Sequence, residues 1–462
     1  MFDSLRVRLP NPIRFAAVGA SNEAAQPGGF SAFRHRDFRL FWGGAVLSNT
    51  GTWMQLVTVP YVIDQLTDST AWVGFAAFCA FFPTTIVAPW AGSLADRYSR
   101  RSVLLWAQSV ALMAALGLWL LYVSGEATPI GIVALVFVGA VAGGFTISAW
   151  QAFVPQLVPP SDMISAVRLN SMSFTGARAF GPALAGLVLA TLGAGAAFLA
   201  NAISFTIVIG ALVLIAPRPI GDVGEHMSVL AHFRDGLSYV RARRVLVLAS
   251  LSAAVGAFFG VAIVQLAEPI ARRLFDAGAG EYGLMVAMYG VGAVIGSLFA
   301  VTRGDMIRRS SLTLTGLGIF TVGIVALGVI PVFSAAAALF VVLGFAQVLC
   351  NVSCQTAVQV NVDEQYRGRV LSIYVLSFFA GTPIGALLAG VTAQFIGLRE
   401  TIVLFGVGFG VSILVLALRY QAFRPLDGSL PSIRDSHAAT PGFGPLGTDL
   451  DTPAQLVVEP LE

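Results

Sequence analysis

Arg178 sits inside an apolar run, 165–192, where a charge is least expected. Even on lenient insertion scales, an ionised side chain at the centre of such a helix costs at least about 2.5–3.5 kcal/mol. It therefore calls for a carboxylate or carbonyl partner across a bundle, an anionic ligand, or a snorkelling side chain that carries the charge outward. Two carboxylates are singled out by position. Asp64 closes the first apolar run and Glu268 the seventh, at an offset of 204 residues. Either they take up and release protons while exposed alternately to two sides, since a partly buried carboxyl is easily protonated, or they mark where helices leave the apolar phase. Amides within the runs are Asn49, Gln55, Gln108, Gln151, Asn170, Asn201 and Gln265. Gln347, Asn351 and Gln355, four residues apart, share one helix face. These side chains line a cavity or bond helices to one another. Trp53, with Trp42, Phe81, Phe82, Trp106 and Trp150, offers faces on which an amphipathic ligand could stack, or an interfacial aromatic belt.

Other chemistry is missing. The chain shows no phosphate-binding loop, HExxH or nucleophile elbow. Cys350 and Cys354 lie one turn apart without a histidine in the runs to complete a metal site, and Cys79 stands alone. The sequence thus predicts no enzyme, cofactor, metal, ATP or nucleic acid.

The elements that must position these residues are membrane spans. Of 462 residues, 56% are hydrophobic and 11% charged, well below the roughly 25% charged residues of a soluble domain. Runs of about 20 apolar residues, enough to cross a ~30 Å hydrocarbon core, begin near Leu40, Ala71, Ser102, Pro129, Ser165 and Ala196. Six more begin near Val245, Glu281, Ser311, Phe333, Arg369 and Thr401. The expected organisation is an amino-terminal tail (1–32), a six-helix half (33–216), an amphipathic linker (217–244), a second half (245–420) and a disordered tail (421–462). All 27 basic side chains are arginine, and they concentrate on one side. Arg34, Arg36, Arg39, Arg97, Arg100, Arg101, Arg168, the linker, Arg308, Arg309, Arg367 and Arg419 share it; Arg272, Arg273 and Arg399 are the exceptions. The positive-inside rule then places both termini in the cytoplasm and the chain in the inner membrane.

The halves echo one another. Gly92-Ser93-Leu94 recurs at 296–298, each copy followed by an Arg-Arg-Ser turn, and Arg168 and Pro182 recur as Arg369 and Pro383. Such a parallel repeat places a substrate cavity between the halves near the midplane.

The stretch 92–101, with Gly92, Asp96, Arg97, Arg100 and Arg101, resembles the signature loop of the major facilitator superfamily. Gly51-Thr-Trp53-Met54-Gln55, Phe33-Arg-His-Arg-Asp37-Phe38-Arg39, Tyr366-Arg-Gly368-Arg369 and the Gly-Pro element around Arg178, Gly181, Pro182 and Gly186 look like its enterobactin-exporter-like and macrolide-efflux-like branch. The resemblance implies an all-α membrane protein of twelve transmembrane helices in two pseudo-symmetric halves. It implies a secondary transporter, a drug:proton antiporter that exports a small amphipathic molecule (drug, macrolide or siderophore) against proton flow by alternating access. On this resemblance the 92–101 loop is a cytoplasmic latch, and the fifth-span Gly-Pro element is an antiporter-type helix in which Pro182 permits a kink. One departure stands out: Gly139 occupies the fourth-span position where multidrug antiporters carry an arginine. An importer or lysophospholipid flippase on the same fold, or a transport-inactive membrane partner, are the rival readings.

Overall fold

The computed structural model describes residues 29–97, 99–216, 229–421 and 423–427, with the side chains of 88–97, 179, 229–232 and 305 excluded. The tail 1–28, the first part of the linker (217–228), the tail 428–462 and the side chains of Gly92, Asp96 and Arg97 fall outside these limits.

Among the described residues the chain folds into twelve spans and one linker helix. The first half comprises Arg36–Thr67, Thr70–Arg97, Arg100–Val123, Pro129–Phe153, and a continuous run Met163–Leu214 that contains the fifth and sixth spans. That run is broken at Gly193, whose φ of 79° suits glycine and reverses the chain almost without a loop. The linker helix is Val229–Ala242. The second half begins with Arg244–Val264 and continues through Ala279–Arg303, Arg309–Val329, Phe333–Val360, Arg367–Ile396 and Leu398–Arg419.

Local signals explain several boundaries. Ser99 caps the third span by accepting from the Ser102 N–H, and Thr128 does the same for the fourth, with Pro129 at its first position. Asp68 ends the first span in the left-handed region, φ 46°. The seventh span is irregular: residues 256–261 are π-helical, the helix turns at Gln265 and Leu266, and Ile270–Leu274 is π-helical again. Such bulges re-aim side chains and commonly mark working regions of a helix.

Outer faces carry residues such as Phe395 (82% exposed), Val301 and Leu418. That is the surface a lipid phase requires, because only there does exposed apolar area have no cost. Inner faces meet through small residues. The fifth and eighth spans touch at Gly186 and Gly283, where a Cβ on Gly283 would lie 2.1 Å from the Gly186 Cα. A Cβ on Gly74 of the second span would lie 2.4 Å from the Ala386 carbonyl of the eleventh. Van der Waals contact between bare backbones is how helices associate where water supplies no driving force.

Candidate functional site

One end of the bundle bears the linker helix and most arginines, and is called the linker end here; the other is the distal end. Three layers of polar chemistry lie between them.

At the distal seam the first and seventh spans bring five charges together. Asp64 is fully buried one turn before the end of its helix, and both Arg272 and Arg273 reach it from the other half. The Arg272 Nε donates to Asp64 Oδ2 at 2.6 Å, and its Nη2 to Asp68 Oδ1 at 2.7 Å. Glu268, 2% exposed, lies 3.7 Å from Arg272 through Oε1, while its buried Oε2 has no hydrogen-bond partner. Asp68, in the loop outside the spans, has its pKa held below the usual carboxylate range, first by the Arg272 hydrogen bond and then by the Arg273 charge. Around this cluster Thr70 donates to the Gly390 carbonyl at 2.9 Å and Ser69 to Gln394 at 3.0 Å. All of these contacts cross between halves except Glu268–Arg272, which lies within the second. Sequence reading paired Asp64 with Glu268 but supplied neither with its arginines. The signal was available, since Arg272 and Arg273 were the exceptions to the arginine bias.

At mid-depth a cavity of about 70 Å³ is lined by Trp53, Gln55, Phe81, Gln265 and Tyr282 among others. Gln55 is fixed by the Asn201 amide, which donates to its Oε1 at 2.7 Å. Tyr282 donates from the eighth span to the Val57 carbonyl of the first at 3.1 Å, closing the cavity on its distal side. The turn at 265–266 is what carries Gln265 into the lining. Next to it, the Trp53 side chain packs on Gly181, where a Cβ would lie 2.5 Å from its own. The Arg178 guanidinium stands 5.7 Å from the centre of the Trp53 ring and donates to Gln347 Oε1 at 3.4 Å. Thus Asp64 meets Glu268, and Trp53, Gln55, Gln265, Arg178, Gly181 and Gln347 meet between the halves.

Other residues named from sequence lie elsewhere. Gln108 is buried between the third and fourth spans, its nearest polar neighbour Thr146 at 3.5 Å. Asn170 accepts from the Trp150 indole at 3.0 Å inside the first half. Gln151 and Gln355 are exposed. Asn351 accepts from the Tyr374 hydroxyl at 3.3 Å, and Asn49 is half-buried with its Nδ2 unpartnered. The fifth span stays helical through Pro182; its sole non-helical residue is Gly193. Gly186 serves the Gly283 contact, whereas Gly176 meets nothing within 4 Å.

At the linker end, the described ion pairs lie within one half and its linker. Arg101 donates to the Leu212 and Val213 carbonyls, and Arg100 to Ala152. A cation on the last carbonyls of a helix is favourable both as a cap and against the helix dipole. His35 bonds Asp162 at 2.7 Å, and that contact lowers the Asp162 pKa. In the second half Asp235 of the linker helix pairs with Arg369, and Arg243 with Asp363 at 2.8 Å, while Tyr239 and Tyr366 stack at 4.2 Å. Among the described residues, no ion pair or hydrogen bond joins the two halves there. Nor do they contain a metal-ligand cluster; Cys79, Cys350 and Cys354 are buried free thiols.

Comparison with known proteins agrees with this architecture. The chain is 24% identical over 379 residues to the staphyloferrin A transporter of Staphylococcus aureus, covering 80% of this chain and 92% of that protein. It is 26% identical over 388 residues to the enterobactin exporter EntS of Citrobacter koseri, covering 83% and 91%. Among solved structures, an inward-facing, unoccupied bacterial homologue of the human lysosomal transporter Spinster superposes with a TM-score of 0.67 at 16% identity, covering 85% and 98%. A D-xylose-proton symporter gives 0.65 at 14% identity, covering 84% and 99%. These last two show the fold alone. The family model for transmembrane secretion effectors matches residues 27–434. The chain therefore belongs to the transmembrane secretion effector family of the major facilitator superfamily, and is a multi-pass membrane transporter with that fold and not an enzyme.

Proposed function

We propose that this transporter exports a small amphipathic molecule of the siderophore class, driven by inward proton movement through alternating access. The observation that carries this reading is the distal seam: Asp64 and Asp68 face two guanidiniums across the very contact that must part for release, with Glu268 buried beside those guanidiniums. The names of the relatives support the siderophore class, and the arginine bias supports a cytoplasmic linker end in the inner membrane.

The chain's own residues suggest how coupling works. With the seam closed, Asp64 is held by Arg272 and Arg273, leaving Glu268 as the carboxyl in excess. Opening pulls the arginines away from Asp64 and leaves Asp64 and Glu268 wet on the distal side, where each can take a proton. A protonated carboxyl holds guanidinium far less strongly than a carboxylate does. Reclosure re-forms the pairs and displaces that proton toward the cavity lined by Gln55 and Gln265. Asp64 and Glu268 thus act as proton carriers and as the bolt of the distal gate. The Gly92, Asp96 and Arg97 loop, with Arg100 and Arg101, is proposed to latch the opposite gate, and Gly181, Pro182 and Gly186 to seal the fifth span against its neighbours.

The test uses proteoliposomes loaded with a pH dye, to which catechol siderophores, citrate-type carboxylates, macrolides, lipophilic cations and lysophospholipids are added singly. Ligand-dependent proton flux, lost in Glu268→Gln, is the expected result. Ligand movement without protons would remove the coupling. Lysophospholipid movement alone would favour a flippase, and no movement of any probe would end the transport reading.

A further inference from the structure

We infer that the midplane between the fifth, eighth and tenth spans is a site for an anionic oxygen group, a carboxylate or catecholate, of the transported molecule. The inference deepens the export reading and rests on it.

Arg178 lies near the middle of the stretch 163–192, half-buried, where a guanidinium needs a counter-charge. Among the described residues no carboxylate lies within 4 Å of it. Its neighbours are the face of Trp53 and one long hydrogen bond to Gln347 Oε1. Arg272 and Arg273 make the contrast, because both are paired with the carboxylate of Asp64. With its oxygen turned to Arg178, Gln347 is left with a buried Nε2 that has no partner, although the residue is only 4% exposed. Tyr289, 7% exposed and within electrostatic range of Arg178, has a hydroxyl that is also unpartnered.

Buried polar groups are nearly always satisfied, so two orphans beside an uncompensated cation need an explanation. Guanidinium offers only donors, the free end of the Gln347 amide is a donor, and the tyrosine O–H can donate. Donors from three helices around one fixed positive charge fit an oxyanion with several lone pairs, and the guanidinium fork matches a carboxylate or paired catechol oxygens. A neutral ligand could accept from these donors but would leave the guanidinium charge uncompensated, and a cationic one would be repelled by it. Arg178 and Trp53 come from the first half, Gln347 and Tyr289 from the second. A bound anion would therefore bridge the halves and bind one arrangement of them better than another, as a transported ligand must.

The experiment is titration calorimetry on the purified full-length protein in non-ionic detergent, with 2,3-dihydroxybenzoate and its uncharged analogue 2,3-dihydroxybenzamide as probes. Loss of a charged hydrogen-bonded contact corresponds to about ten- to a hundredfold in affinity, so the anion is expected to bind tighter by that factor. Arg178→Gln should erase the preference and Arg178→Lys should keep part of it. Gln347→Leu, which leaves the charge in place, should weaken the anion several-fold and guards against a misfolded arginine variant. Equal affinity for both probes, binding of neither, or an undiminished preference in Arg178→Gln would overturn the assignment. So would loss of benzoate binding in phosphatidylglycerol nanodiscs but not in phosphatidylcholine ones, which would give the site to a lipid headgroup. The export reading fails separately: anion preference without movement of any probe in proteoliposomes refutes export alone. Proton-coupled movement of tetraphenylphosphonium without anion preference refutes this site alone.

Discussion

The two ends of the bundle use their charges differently. At the distal end four of the five described ion pairs cross from one half to the other, Asp64 and Asp68 on one side and Arg272 and Arg273 on the other; the fifth, Arg272–Glu268, lies within the second half. At the linker end the pairs Asp235–Arg369, Arg243–Asp363 and His35–Asp162 each stay within one half and its linker. Crossing pairs resist separation of the halves; internal pairs make each half rigid and leave the halves free to part. The structure is accordingly the state closed at the distal end, with the fully buried Asp64 at the centre of the pairs that cross it.

The largest effect is expected where the difference is greatest. Asp64→Ala leaves two guanidiniums without their buried acceptor, and breaking one member of a buried pair costs about 3–5 kcal/mol. Opening of the distal seam is the expected consequence. A disulfide between Ser69→Cys and Gln394→Cys, whose side chains are 3.0 Å apart, measures it on a background without Cys79, Cys350 and Cys354. Cross-linking should be efficient with Asp64 present and poor with alanine. Equal cross-linking would show that small-residue packing alone holds the seam.

Packing is tested by Gly283→Ala. Its Cβ would meet the Gly186 backbone at 2.1 Å, so the fifth and eighth spans must separate. Overpacking of this kind costs about 1–3 kcal/mol. Distal cross-linking should fall, though less than in Asp64→Ala, and an unchanged yield would mean that the contact is not needed for closure.

At the linker end, Asp235→Asn removes a partly exposed pair worth about 0–1 kcal/mol. Transport should change by less than about fivefold, since 1 kcal/mol is roughly that factor. A loss as deep as that of Asp64→Ala would break the distinction between crossing and internal pairs.

How far the sequence carried the reading depends on whether the signal was local. Apolar runs marked the spans because lipid demands about 20 residues of them, and Gly193-Ala194-Gly195 marked the turn between the fifth and sixth. The first span is less apolar, since it carries Asn49, Gln55 and Asp64, yet arginine placement still required it. Pairings were another matter. Arg178 and Gln347 are 169 residues apart and Arg272 and Asp64 are 208 apart, and no periodicity relates them. The π-helical stretches that turn Gln265 inward have no sequence mark either, because they arise from how the seventh span packs against its neighbours. Gln108 and Asn170 show the converse limit. An amide in an apolar run says that a partner exists, and only the fold says whether that partner is a ligand or another helix.

The smallest effect concerns pH and separates the exposed member of the distal cluster from the buried ones. Asp68 is exposed, and Arg272 and Arg273 lower its pKa below the ordinary aspartate value of about 3.9. A depressed carboxylate contributes stability that is fully present above its unfolded pKa and lost only as pH falls through the lower folded value. Across pH 5–8 the Asp68 contact with Arg272 is therefore constant. Asp68→Asn should lower transport by a similar small factor at every pH in that window, leaving the profile parallel to wild type. Glu268→Gln should instead flatten the profile, because it deletes a buried carboxyl that the proposed cycle protonates. A profile flattened by Asp68→Asn would move the proton-sensing role to the rim of the seam, and the burial of Asp64 and Glu268 would then serve closure alone.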